Sequence, residues 1–251
     1  MMLKGKSALV TGGAAGIGLA TSERLASEGA TVMIADIDRS AGEAAAARLR
    51  EDGGQAHFLH SDMGSVPSIN DMVAAAIELV GRLDILVNNA GVSKRIGILE
   101  IDEASWDWMQ SINTKGLFFC LQRVAAHMKE AGGGRIVNMA SIAGKGAKGT
   151  SNACYAASKA AAINIARVAA AELGPFGINV NAVCPGPTRT ELMDRLEAAN
   201  PAIISAMVEA SALRRMSTPA DIADVTLFLC SDLARNVTGQ SINVDAGIMW
   251  D

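Results

Sequence analysis

The sequence is poor in aromatic residues, 4% of 251 positions, and holds a single tyrosine. Any chemistry that needs a phenol therefore has one place to occur. Proline is scarce at 6 residues, and the 25 glycines follow no Gly-X-Y period, so collagen-like and proline-rich architectures are excluded. No basic excess is present: 22 basic and 26 acidic residues leave a net charge of −4, which argues against a nucleic-acid binder. No uncharged apolar run approaches the roughly 18–20 residues of a spanning helix. The N-terminus, Met1 to Ser7, lacks the apolar region and small-residue cleavage site of a secretory signal. Four cysteines (Cys120, Cys154, Cys184, Cys230) stand at least 30 residues apart, a spacing that fits neither a zinc site nor a Cys-x-x-Cys pair. They read as reduced thiols acting as small hydrophobes, with a cytoplasmic location as the default. His57 and His60 fall on opposite faces of one candidate strand, so no metal is expected.

What is present is an apolar half, 50% of the chain, distributed in an alternating rhythm. Short apolar runs at Ala8–Thr11, Thr31–Asp36, Ala56–Leu59, Asp84–Val87, Arg135–Met139, Ile178–Val183 and Ser241–Val244 read as strands. Between them, Ile17–Glu28, Ala41–Glu51, Ser68–Val80, Trp106–Lys129, Tyr155–Leu173 and Ala220–Leu229 carry helical periodicity. Strands apolar on both faces imply a parallel sheet covered by helices on both sides. The expected fold is α/β, Rossmann-like and doubly wound, with a mostly parallel sheet of seven strands. One domain over 1–251 is expected, with Pro187–Ser217 as an irregular excursion over the sheet edge.

After the first strand comes Thr11-Gly12-Gly13-Ala14-Ala15-Gly16-Ile17-Gly18. Glycine lets the backbone approach a pyrophosphate, and the following helix N-terminus offers unpaired N–H groups to the anion. A glycine-rich turn alone is as compatible with a tight structural turn as with a ligand loop, but its position between strand and helix favours the ligand. Asp36 closes the second strand, where a dinucleotide fold places the acid that reads the adenosine ribose. A carboxylate there repels a 2′-phosphate, so NAD is expected over NADP.

These motifs, in order along nearly the whole chain, make the sequence resemble the classical short-chain dehydrogenases/reductases. The resemblance implies that Asn113, Ser141, Tyr155 and Lys159 form the catalytic set. It also implies that Gly12, Gly16, Ile17, Gly18, Asp36, Ile37, Asp62, Met63, Asn89, Tyr155, Lys159, Pro185, Gly186 and Thr188 hold the cofactor. Asn88-Asn89-Ala90-Gly91 matches the motif that stabilises the sheet, and Thr188 the residue that reaches the nicotinamide carboxamide. The 14-residue separation of Ser141 from Tyr155 is slightly longer than the family's and is spanned by Gly144–Gly149.

Tyr155 and Lys159 are four apart on a helix and share a face. Bringing a phenol from about 10 to about 7 requires about 4 kcal/mol in favour of phenolate. One positive charge about 4 Å away supplies that much at an effective dielectric near 20, but only about 1 kcal/mol in bulk water. The expected reaction interconverts a secondary alcohol and its ketone, with phenolate as base, Ser141 orienting the substrate oxygen and NAD taking the hydride. Asn113 is expected to anchor a water chain to solvent.

Ser93, Lys94, Arg95, Lys145, Lys148, Asn152 and Arg189 suggest a polyol, sugar or hydroxy-acid substrate. A 3-oxoacyl carrier-protein reductase would share the same fold and set. Trp106 and Trp108 read as packing anchors, and Trp250 as a residue near the pocket in an oligomer. The small residues Ala156 to Ala162 imply close helix packing, and the family resemblance implies a homotetramer.

Overall fold

The computed structural model describes residues 1–147, 151–190, 193 and 201–250. Among these, seven strands are paired: β1 (Ser7–Thr11), β2 (Thr31–Asp36), β3 (Gln55–His60), β4 (Ile85–Asn88), β5 (Gly134–Met139), β6 (Ile178–Pro185) and β7 (Ser241–Val244). All pairings are parallel, in the order β3-β2-β1-β4-β5-β6-β7. The helices are α1 (Gly16–Ser27), α2 (Arg39–Glu51), α3 (Val66–Val80), α4 (Glu103–Gln110), α5 (Leu117–Glu130), α6 (Ala153–Leu173), α7 (Pro201–Ala210) and α8 (Pro219–Cys230).

Successive strand side chains point to opposite faces, and here both faces are apolar. Ala8, Val10, Val32, Ile34, Ile85 and Val87 pack with Leu25 of α1, Leu49 of α2 and Ile222 of α8. Leu9, Met33, Leu86 and Ile136 pack with Met72 of α3, Val124 of α5 and Ala166 of α6. Each fully buried side chain of this size contributes about 1.5–3 kcal/mol of transfer free energy. The strand order reverses between β1 and β4, so the loops leaving these two strands diverge and open a crevice at the carboxyl edge.

The sheet is the one read from the sequence, with strand ends shifted by one or two residues. Two elements differ. The helix expected over Trp106–Lys129 is interrupted by a π-helical turn, Ser111–Gly116, between α4 and α5. The expected irregular excursion contains α7.

Candidate active site

A cleft of about 790 Å³ runs along the carboxyl edge of the sheet. Gly12 and Gly18 lie on its wall. Gly12 has φ +62°, and a Cβ there would stand 2.9 Å from the Ala90 Cα. A Cβ on Gly18 would overlap the Gly12 carbonyl oxygen. Gly16 also has a positive φ (+53°), yet no protein atom lies within 4 Å of where its Cβ would be. The loop is thus tight at Gly12 and Gly18 and open at Gly16, which is exposed and not among the residues lining the cleft.

Thr11 holds it in place. Its hydroxyl accepts the Asn89 and Ala90 N–H groups, both at 3.1 Å, and Asn89 Nδ2 donates to the Thr11 and Gly12 carbonyls at 3.1 and 2.9 Å. Helix α1 begins after Ala15, which provides no side-chain cap. Asp38, Ser65, Asp102 and Asn152 do cap α2, α3, α4 and α6. The first-turn N–H groups of α1, next to Ile17, are therefore left for an anion. These residues fit the pyrophosphate of a dinucleotide.

At one end of the cleft stands Asp36. Its carboxylate accepts the Ala14 N–H at 3.1 Å and the Asp38 N–H at 3.1 Å, which fixes its direction against the glycine loop. Ile37 beside it is 63% exposed. Asp62 and Met63 line the same cleft, and Asp62 Oδ1 accepts the Gly64 N–H at 2.8 Å. Trp106 and Trp108, expected as packing anchors, are both substantially exposed. Trp108 lines the cleft, so that expectation is corrected: α4 turns this indole away from the α6 side.

At the other end, Ser141 follows β5 and Tyr155 and Lys159 project from α6. A Cβ on Gly144 would lie 2.5 Å from the Lys159 carbonyl carbon. The turn after β5 thus rests directly on the backbone of α6, and this contact sets Ser141 against Tyr155. Ser141 Oγ accepts the Ala143 N–H at 3.1 Å and lies near enough to the Tyr155 phenol to pull its pKa down. Asn152 Oδ1 accepts the Tyr155 N–H at 2.8 Å. Lys159 is buried, and its Nζ donates to the Met139 carbonyl at 2.8 Å.

Nζ lies 5.6 Å from the centre of the Tyr155 ring. Burial pushes the Tyr155 phenol above its ordinary value while the Ser141 hydrogen bond pulls it down. Burial also lowers the Lys159 ammonium to about 8, with Cys184 acting in the opposite sense.

Pro185, Gly186 and Thr188 line the same cleft beyond β6. A Cβ on Gly186 would sit 2.5 Å from the Asp245 Cβ, and the Thr188 hydroxyl donates to the Gly186 carbonyl at 3.0 Å. Asn113 lies behind the wall, fully buried. Its Oδ1 accepts the Val92 N–H at 2.8 Å, and its Nδ2 donates to the Val92 carbonyl at 2.8 Å and to Ser158 Oγ at 3.0 Å. This side chain braces the loop after β4 against α6.

The described charged groups expected around the substrate do not line the cleft. Lys145 donates to the Ser241 carbonyl at 2.9 Å. Asn152, besides capping α6, donates to the Lys94 carbonyl. Lys94, Arg95 and Arg189 are exposed and do not line the cleft. Lys148 lies outside the described residues. Among those described, Lys159 is the one cation on the cleft wall, and Val92, Ser93, Thr190 and Met193 contribute neutral surface. Val92, Thr190, Met193 and Ile112 went unread in the sequence because each is unremarkable as a residue type and gains meaning from the cleft alone.

A family model described as enoyl-(acyl carrier protein) reductase matches residues 12–249. The chain belongs to the short-chain dehydrogenase/reductase family. The 3-oxoacyl-[acyl-carrier-protein] reductase FabG of Thermotoga maritima is 36% identical over 251 residues, covering 99% of this chain and 100% of that one. The 2,5-dichloro-2,5-cyclohexadiene-1,4-diol dehydrogenase LinX of Sphingobium indicum is 34% identical over 245 residues, covering 98% and 96%. A solved structure of a short-chain type dehydrogenase/reductase from Mycobacterium ulcerans superposes with a TM-score of 0.93 at 31% identity, covering 99% of this chain and 91% of that one. This short-chain dehydrogenase/reductase is accordingly an oxidoreductase that acts on an alcohol or ketone with a nicotinamide cofactor. No helix among the described residues is long and apolar enough to cross a membrane.

Proposed function

We propose that the protein is an NAD-dependent dehydrogenase that interconverts an uncharged secondary alcohol, a cyclic diol or polyol, and its ketone. The observation that carries this reading is one cleft lined by Ser141, Tyr155 and buried Lys159 and by a directed Asp36 carboxylate as well. When bound, the cofactor supplies the hydride acceptor and, in its oxidised form, a positive charge close to the phenol. Tyr155 as phenolate takes the hydroxyl proton of the alcohol and returns it in the reverse direction. Ser141 donates to the substrate oxygen, where negative charge develops. The Lys159 ammonium favours the phenolate. Asn113 acts by holding Val92 and Ser158 in place.

Asp36 favours NAD, since a 2′-phosphate beside a carboxylate already committed to two backbone N–H groups would be repelled. The substrate class follows from the neutral wall. A hydroxy acid would bring a carboxylate to a cleft whose described cation, Lys159, is engaged with Met139. A second hydroxyl, by contrast, meets the Ser93–Ser151 pair, whose oxygens are 3.3 Å apart. The same reading places the protein in the cytoplasm as a homotetramer packed through α5 and α6, where Phe118 and Val168 are exposed.

Initial rates over a panel of cyclic diols, polyols, sugars and hydroxy acids, each with NAD⁺ and NADP⁺, test the reading. Diols or polyols with NAD⁺ should be the fastest, with hydroxy acids at least about tenfold lower in kcat/KM. The rival, a 3-oxoacyl carrier-protein reductase, is supported by the FabG likeness. Faster reduction of 3-oxoacyl thioesters, with NADPH preferred, would establish it instead.

A further inference from the structure

We infer that Trp108 is a positioning residue that stacks on the adenine of the bound nucleotide. This rests on reading the Asp36 end of the cleft as the adenosine end. Gln110 Nε2 donates to the Cys154 carbonyl at 3.1 Å, so that side of α4 faces α6. At about 100° per residue, Trp108 lies roughly 200° around the helix from Gln110. Ile112, four residues further, shares the face of Trp108. Ile112 marks where that face points: a Cβ on Gly64 would lie 3.6 Å from Ile112 Cγ1 and 3.2 Å from Asp62 Oδ1. Trp108 and Ile112 therefore stand over the Asp62–Gly64 segment, away from the start of α6 and its tyrosine. Both line the cleft, together with Met63 and the exposed Ile37.

An indole 43% exposed on a cleft wall is large apolar surface left in water. A flat heteroaromatic base is the ligand such a surface fits, because base–aromatic stacking asks for a π-face rather than a particular hydrogen-bond pattern. Asp36 would hold the ribose hydroxyls while Trp108 and Ile112 cover the base.

The test uses AMP, which carries adenine and ribose but no nicotinamide. Affinity is measured by calorimetry and by quenching of intrinsic tryptophan fluorescence, in the wild type, Trp108→Ala, Trp108→Phe and Asp36→Ala. Trp108→Ala should weaken AMP about 5–100-fold. Trp108→Phe should stay within about threefold, while losing the quench. Substrate KM at saturating cofactor should be unchanged in both. AMP affinity in Trp108→Ala equal to wild type would overturn the inference, as would a raised substrate KM with AMP binding intact. If AMP binds the wild type but Asp36→Ala leaves its affinity unchanged, the placement of the adenosine end is wrong. No AMP binding to the wild type would sink the placement too. Either result is distinguishable from a failure of Trp108 alone.

Discussion

Lys159 illustrates how a buried charge strains the fold that holds it. Its ammonium is buried at 4% exposure and pulled down to about 8, whereas an unfolded lysine keeps its proton to about 10.4. Between pH 8 and about 10.4 the unfolded chain binds the extra proton, so native stability rises with pH across that window. Below pH 8 the folded protein carries the whole penalty, about 3 kcal/mol. Lys159→Met removes this charge but leaves the Met139 carbonyl without its donor, a loss of about 1–2 kcal/mol. The variant should be about 1–2 kcal/mol more stable than wild type at pH 7, with the advantage shrinking toward pH 10, as read by denaturant unfolding at both values. Its alcohol oxidation should fall at least about 100-fold. A variant less stable at pH 7 would show that the buried ammonium is not the cost argued here. That Tyr155 and Lys159 share a helix face was legible in the sequence from their spacing of four, whereas Ser141 entered through the family resemblance. Trp108 was not legible: Trp106 and Trp108 look alike in a sequence, and only the phase of α4 against α6 separates them.

Strands and helices were legible where the apolar pattern was long and bounded by polar turn residues. The π turn at Ser111–Gly116 was not, since its cause is tertiary. A Cβ on Gly116 would strike the Met63 carbonyl oxygen at 2.1 Å, so the chain there is set by the loop after β3, which no local pattern announces. The loop after β5 offers a similar lesson. Its glycines read as the span of a slightly long separation, but Gly144 is where two backbones meet. Gly144→Ala would bring Cβ to 2.5 and 2.6 Å from the Lys159 carbonyl carbon and the Ala160 nitrogen, backbone atoms that cannot swing aside. We expect a loss of about 1–3 kcal/mol in stability. Displacing Ser141 by an ångström should lower kcat about 100-fold, with NADH affinity unchanged. Full kcat in this variant would show that the contact does not position the site.

At the scale of the molecule, seven parallel strands and one reversal of strand order place the ends of β1, β2, β4, β5 and β6 around a single cleft. The alternation of short apolar runs and helices made this topology readable from the sequence. The substrate wall was not readable, because loop lysines carry no record of their direction; Lys145 reaches β7 rather than the cleft. We take the chain as one folding unit, so thermal unfolding should show one transition. NADH at about 100 times its Kd should stabilise it by about 2.7 kcal/mol, and NADPH at the same concentration by clearly less; two transitions, or equal shifts, would count against this. The account as a whole rests on the phenol of Tyr155 moving the substrate proton. The most direct measurement takes one preparation of Tyr155→Phe and determines both NADH affinity by fluorescence titration and turnover of the best alcohol. We predict affinity within about twofold of wild type and turnover lower by about 10²–10⁴-fold. Turnover within a few-fold of wild type, with NADH still bound, would contradict it.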